Sequence, residues 1–191
     1  MMIKICGITN REDALAAVEA GATALGFNFY SKSPRYISPD TAAEIGAGLP
    51  VIKVGVFVDA PDASTIAARA GIDIIQLHGS ELPEQVPAGL RVWKAFRVTR
   101  EWDASVLALY HAEAFLLDGP RPGSGEGFDW TLASGLRNII IAGGLGPDNI
   151  AEAIRRVRPW GVDACSRLER APGLKDYEKM RRFVRAAMDS L

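Results

Sequence analysis

Residues 138–165 read NIIIAGGLGPDNIAEAIRRVRPWGVDAC. An apolar run, Asn138–Ala142, stops at the paired glycines Gly143 and Gly144. Pro147–Val157 then carries apolar residues at helical spacing, and a second apolar run covers Gly161–Cys165. Strand, turn, helix, strand is the pattern of a βαβ unit, whose two strands lie parallel under a covering helix. The rest of the chain repeats it. Further runs rich in Val, Ile and Phe lie at Ile3–Cys6, Ala24–Asn28, Val51–Val58, Ile72–Leu77, Val92–Phe96 and Ala114–Asp118, eight in all. Helical spacing recurs at Arg11–Ala20, with Asn10 as the N-cap, and at Pro39–Gly46 behind Ser38, where proline suits the first turn. It returns at Ala63–Ala70, Trp102–Tyr110 and Asp176–Met188, and weakly at Glu81–Val86 and Trp130–Ser134.

Near-continuous apolar strands are those buried on both faces, as in a helix-covered parallel sheet. Eight units predict an α/β chain closed as a (βα)8 TIM barrel with short loops, one catalytic domain over residues 1–191. An open doubly wound sheet is the rival. It is disfavoured by the count of eight and by the missing G-x-G-x-x-G after the first run.

The composition narrows the function. The chain has 22 basic and 23 acidic residues among 191, a formal net charge of −1, and is 48% hydrophobic. Near-neutral charge argues against a nucleic-acid partner, which calls for a basic face. The apolar runs are far shorter than the ~18 residues of a membrane span. MMIKICGITN lacks the long apolar stretch of a secretory leader. Two cysteines make no disulfide scaffold, so free thiols in a reducing cytoplasm are expected.

In such barrels, chemistry gathers where strands end. The polar residues there are Cys6, Asn28, Asp59, His78, Arg97, Asp118 and Asp163–Ser166, with Gly143 and Gly144 after the seventh run. Cys6 is either a buried apolar thiol or a base, and acts as a base only when ionised. Lys4 shares its strand parity, so a buried ammonium one layer below could favour the thiolate. Asp118 closes FLLD, where a desolvated carboxyl suits a proton donor better than a loop cap. Gly143 and Gly144 can bring bare backbone N–H groups to an anion, with Ser166 placed to join them. Arg35, in SKSPRYIS, is either exposed or a carboxylate clamp. GSGEG (123–127) reads as a lid, without the Gly-Lys-Ser/Thr ending of a nucleotide loop. No spacing typical of a zinc site occurs.

Several motifs occur in order: KICGIT (4–9), GFNFY-x-x-S-x-RYIS (26–38), GVF (55–57), QLHG (76–79), LLD (116–118), FDW (128–130), AGGL-x-P-x-N (142–149) and GVD-x-x-S-x-x-E (161–169). Together they resemble the phosphoribosylanthranilate isomerase family over Ile3 to about Phe183. The resemblance implies an Amadori rearrangement of N-(5-phosphoribosyl)anthranilate to the ribulose derivative in tryptophan biosynthesis, without cofactor or metal. It implies Cys6 as the base on C2 and Asp118 as the acid on the ring oxygen. Arg35 would lie near the anthranilate carboxylate. Gly143, Gly144 and Ser166 would hold the phosphate, and His78 and Asp163 complete the expected substrate-binding set. The expected partner is a small phosphorylated substrate, and the chain would be a monomer or homodimer.

This sequence departs from the family pattern at Glu126, Gly127, Cys165 and Arg167. VDVSSGVE becomes VDACSRLE, and GSGKTFDW becomes GSGEGFDW. These changes predict an altered phosphate grip. Cys165 would also permit a disulfide with Cys6 if their Cα atoms lay within ~7 Å. Two other readings stand beside the first. One is the related phosphoribosyl isomerase of histidine biosynthesis, or a bifunctional enzyme, although that relative carries aspartate where Cys6 stands. The other is a non-catalytic barrel that binds a phosphorylated ligand.

Overall fold

The computed structural model describes residues 1–121 and 123–190. Eight parallel strands close into a barrel in chain order: β1 (Met2–Cys6), β2 (Ala24–Asn28), β3 (Ile52–Phe57), β4 (Ile74–Leu77), β5 (Val92–Arg97), β6 (Ala114–Asp118), β7 (Ile139–Ile141) and β8 (Gly161–Ala164). The five α-helices described are α1 (Arg11–Ala20), α2 (Pro39–Gly46), α3 (Ala63–Arg69), α4 (Ile150–Val157) and α5 (Tyr177–Met188). No helix among the described residues is long and apolar enough to cross a membrane.

Alternation along each strand separates two cores. One set of residues, including Met2, Ala24, Val54, Ile74, Trp93, Leu116 and Ile140, packs inside the barrel. The opposite set, including Ile3, Ile5, Leu25, Phe27, Leu117, Ile139 and Ile141, packs against the helices. Lys4, Gln76 and Asp163 share the inward parity and are buried.

Local signals set the helix starts where they were read. Asn10 accepts from the Asp13 N–H at 2.8 Å, and Ser38 accepts from Thr41 at 3.1 Å. Three segments differ from expectation. Trp102–Tyr110 forms only a 3-10 helix at Ala104–Leu109, with Asp103 capping its first turn at Ser105 through both N–H and hydroxyl. Helix α4 starts at Ile150 rather than Pro147. The Asn149 side chain accepts from Gly146 N–H (2.8 Å) and donates to Gly144 carbonyl (2.9 Å), so this stretch is a closed turn. The connection after β8 adds a small hairpin, β9 (Glu169–Ala171) and β10 (Leu174–Lys175), turning at Pro172-Gly173 with Gly173 at φ 79°.

Candidate active site

Cys6 is the last residue of β1, half-buried, with Lys4 fully buried beneath it. Lys4 Nζ lies 3.0 Å from Asp163 Oδ1. Room for the thiol comes from Gly26 on β2, where a Cβ would sit 2.6 Å from the Cys6 sulfur and 3.0 Å from Lys4 Cε. Burial alone would lower the Lys4 ammonium, but Asp163 and Cys6 raise it, so it stays charged. Burial lifts Asp163 to about 7 against the pull of Lys4, with Cys6 and Asp118 adding to the rise. Both members of the ion pair therefore shift upward. The physical reason is that Lys4 answers to two anions, whereas Asp163 is crowded by other negative groups. Asp163, expected to bind substrate, is thus first a partner of Lys4, though it still lines the mouth of the barrel.

The Cys6 thiol is held well below its usual range, foremost by hydrogen bonding with Cys165; burial opposes this and Lys4 assists. The same contact, with burial, pushes Cys165 well above its usual range. Both cysteines are free thiols, not a disulfide.

Asp118 ends β6 and is 6% exposed. Its Oδ1 accepts from Gly119 N–H at 2.7 Å, and its Oδ2 lies 3.3 Å from His78 Nε2. Gln76 contacts His78 Nδ1 at 3.0 Å. With the Gln76 amide donating there, the ring proton sits on Nε2, facing Asp118. The loop carrying His78 is fixed by buried Lys94, which reaches Gly79 carbonyl and Glu81, each at 2.8 Å.

Gly143 (φ 72°) and Gly144 (φ 64°) form a left-handed pair after β7. A Cβ on Gly143 would stand 2.5 Å from Gly119 N and 2.7 Å from Asp118 Oδ1; one on Gly144 would stand 2.8 Å from Gly125 O and Gly127 N. The segment after β6 therefore lies directly on the turn. Only about 40 Å³ is left in the mouth between Asp118, Gly143, Asp163, Cys165 and Ser166. Ligand pockets run to about 300 Å³ or more, so the mouth is narrow beside an ordinary ligand pocket. A roomier cavity of about 310 Å³ lies by Asp59, Ala63 and Gln85, outside the mouth and away from Cys6 and Asp118.

Gly143→Ala is expected to cost about 1–3 kcal/mol of stability through backbone strain, and to lower activity because the methyl displaces Asp118. Gly48→Ala is the control, since Gly48 has φ 69° and nothing within 4 Å of the added carbon. Denaturant melts of both should show the larger loss at Gly143; equal losses would remove the close-approach argument.

Arg35 is not exposed but grips the Glu169 carboxylate with two bonds, Nε to Oε1 at 2.8 Å and Nη2 to Oε2 at 2.7 Å. Only Nη1 faces the lid, 3.7 Å from where a Cβ on Gly123 would stand. The departing residues also have places. Arg167 donates to Gly144 carbonyl at 2.9 Å and so braces the glycine turn from outside. Glu126 pairs with exposed Arg121 at 2.7 Å. Ser166 lies beneath the lid, its hydroxyl 3.1 Å from where a Cβ on Gly125 would stand.

Sequence reasoning assigned no role to Glu169, Lys175 or Asn149. Glu169 and Asn149 lie inside the quoted motifs, which was the available signal. Lys175 had none, because the hairpin that carries it inward has no periodicity. Among the described residues, no group of three or more His, Cys, Asp or Glu could hold a metal ion.

Fold and rim together define a (βα)8-barrel enzyme with its ionisable groups gathered at the carboxyl ends of the strands. The family model for N-(5'-phosphoribosyl)anthranilate (PRA) isomerase matches residues 3–186, and the chain belongs to that family. Among its relatives, N-(5'-phosphoribosyl)anthranilate isomerase of Solibacter usitatus (strain Ellin6076) is 50% identical, covering 100% of this chain and 99% of that protein. The crystal structure of phosphoribosyl anthranilate isomerase from Thermotoga maritima has a TM-score of 0.92 at 40% identity, covering 99% of each chain. A phosphoribosyl anthranilate isomerase in complex with reduced 1-(o-carboxyphenylamino)-1-deoxyribulose 5-phosphate gives a TM-score of 0.89 at 40% identity, again over 99% of both chains.

Proposed function

We propose that this chain isomerises N-(5'-phosphoribosyl)anthranilate in tryptophan biosynthesis, with Asp118 as acid and Cys6 as base. The observation that carries the assignment is the position of Asp118: a buried carboxyl whose oxygen abuts the glycine turn that would hold the phosphate. Asp118 protonates the ring oxygen, and the ring opens to an iminium. Cys6, as thiolate, removes the C2 proton to give an enolamine, which becomes the ketone. His78, facing Asp118, steadies the carboxyl in place. The N–H groups of Gly143 and Gly144, with Ser166, receive the phosphate. Arg35 offers Nη1 to the anthranilate carboxylate while Glu169 holds the rest of its guanidinium. The two free thiols favour a reducing cytoplasm as the setting, and the working unit is a monomer or homodimer.

The test is turnover of N-(5'-phosphoribosyl)anthranilate, followed by loss of its fluorescence. Turnover is expected at an unchanged rate after chelation of metals and without added cofactor. Absence of turnover would leave the ligand-binding reading, and turnover of only the histidine-pathway aminoaldose would favour the related isomerase.

A further inference from the structure

Lys4 faces Asp163 and Ile5 faces Ala164 in the register of β1 with β8. One step further, at the mouth of the barrel, Cys6 stands opposite Cys165. Neighbouring strands run about 4.8 Å apart, inside the Cα separation of about 4.4–6.8 Å that a disulfide spans. Alternation puts both side chains on the inner face, above Lys4 and Asp163. The Cys165 sulfur leans over the end of β1, 2.8 Å from where a Cβ on Gly7, the residue after Cys6, would stand. The Cys6 sulfur lies over β2, 2.6 Å from where a Cβ on Gly26 would stand. A turn of Cys6 about χ1 carries its sulfur from above Gly26 toward Cys165.

The surroundings suit sulfur chemistry. Both thiols are half-buried rather than sealed, and Cys165 lines the mouth, so a small oxidant has access. Each sulfur has a lysine beside it. The Gly26 position that meets Cys6 also meets Lys4 Cε, and the Lys175 ammonium is 3.7 Å from the Cys165 sulfur. A neighbouring ammonium favours the thiolate, the form that attacks peroxides and other sulfurs. The Cys165 thiol donates to Glu169 Oε1 at 3.7 Å, so it is protonated at rest. Lys175 then eases the loss of that proton as the sulfur attacks. The family pattern has serine in place of Cys165, which has no sulfur to offer, so the pair is a feature of this chain.

We propose that Cys6 and Cys165 form a redox modification site: a peroxide closes them into a disulfide, and turnover stops until a thiol reductant reopens it. The Cys6 thiolate attacks one peroxide oxygen and the O–O bond breaks. The hydroxide released takes up the proton that Cys6 shed, giving water, and Cys6 is left as a sulfenic acid. The Cys165 sulfur attacks the Cys6 sulfur, an S–S bond forms and the S–O bond breaks. The hydroxide leaves with the Cys165 proton as a second water. The two thiols have lost two electrons and the peroxide has gained them. Loss of turnover rests on Cys6 as the base; formation of the disulfide does not.

The experiment treats reduced wild type and Cys165→Ser with hydrogen peroxide, blocks the remaining thiols, and follows intact mass, tryptic peptides and turnover. Each protein is compared with its own reduced rate. Wild type should lose the mass of two hydrogens, and its peptides carrying Cys6 and Cys165 should come out joined. Its turnover should fall by about 10²-fold or more, the least worth of a positioned base, and return with dithiothreitol. Cys165→Ser should give no joined peptide. Its Cys6 should instead gain oxygen up to the sulfinic acid, which dithiothreitol does not reverse. Two free thiols in oxidised wild type, or oxygen on Cys6 without joined peptides, overturn the proposal. So do peptides joined only between two chains. Should Cys165→Ser not fold, the wild-type peptide map decides alone. Joined peptides with full turnover would overturn the inhibition and, separately from the disulfide, the base assignment.

Discussion

Replacement of Asp118 by asparagine, or of Cys6 by alanine, is expected to lower kcat by about 10²–10⁴-fold, the usual worth of a positioned acid or base. The asparagine is close in shape to the carboxyl and can still accept the Gly119 N–H, so the fold and the glycine turn should survive. What is lost is the proton that the ring oxygen needs before it can leave C1. Cys6→Ala removes the only sulfur flanked by Lys4, and the C2 proton is then left to water. Both changes leave the N–H groups of Gly143 and Gly144 in place, so KM should move far less than kcat. Stopped-flow fluorescence over substrate concentrations below and above KM measures both quantities. An Asp118→Asn enzyme at wild-type kcat would refute the acid assignment outright.

Glu169→Ala is expected to be the most destabilising single change near the mouth. Glu169 is 8% exposed and compensates Arg35 and fully buried Lys175 together. Removing one partner of a buried ion pair costs about 3–5 kcal/mol, because the remaining charge is stranded. For a domain of this size that corresponds to a fall in Tm of about 6–20 °C, read by thermal melting. A loss near zero would mean that the two cations find solvent or other partners.

The same carboxyl makes stability depend on acid. Burial alone would raise Glu169, but the Arg35 hydrogen bonds and the Lys175 charge outweigh it and hold the group at about 2 against an ordinary 4.5. Between those values the unfolded chain binds a proton that the folded chain does not. Its contribution is therefore complete above the unfolded value and is lost as pH falls toward about 2. From about pH 5 down to about pH 3 the wild-type Tm should drop more steeply than that of Glu169→Gln, which has no proton to bind. Parallel slopes would show that other carboxylates govern acid unfolding.

The sequence by itself determined the barrel and its rim. Eight apolar runs separated by helical segments point to a parallel sheet buried on both faces, and the count of eight with no G-x-G-x-x-G after the first run favours closure into a barrel over an open doubly wound sheet. FLLD and KIC then put Asp118 and Cys6 at strand ends, since a polar residue closing an apolar run marks where the strand leaves the core. Gly143 and Gly144 were legible because a left-handed pair announces itself by residue type. The parity of Lys4 with Cys6 was legible too, as alternation along a strand is local.

Contacts between segments distant in the chain were decided only by the tertiary structure. The partner of Lys4 is Asp163, 159 positions away, fixed by how β1 and β8 close the barrel. Arg35 was read as exposed or reaching for a substrate carboxylate, yet it holds Glu169, 134 residues on. Lys175 reaches Cys165 only because a two-stranded hairpin folds back over the mouth, and nothing in its own neighbourhood predicts that. Periodicity reports which face of an element is apolar. It carries no information on which buried charge meets which, because that depends on barrel closure and on loops without a repeat. Asp118 and Cys6 were therefore visible as strand-end residues. The charge cluster around Cys6 was visible only in three dimensions.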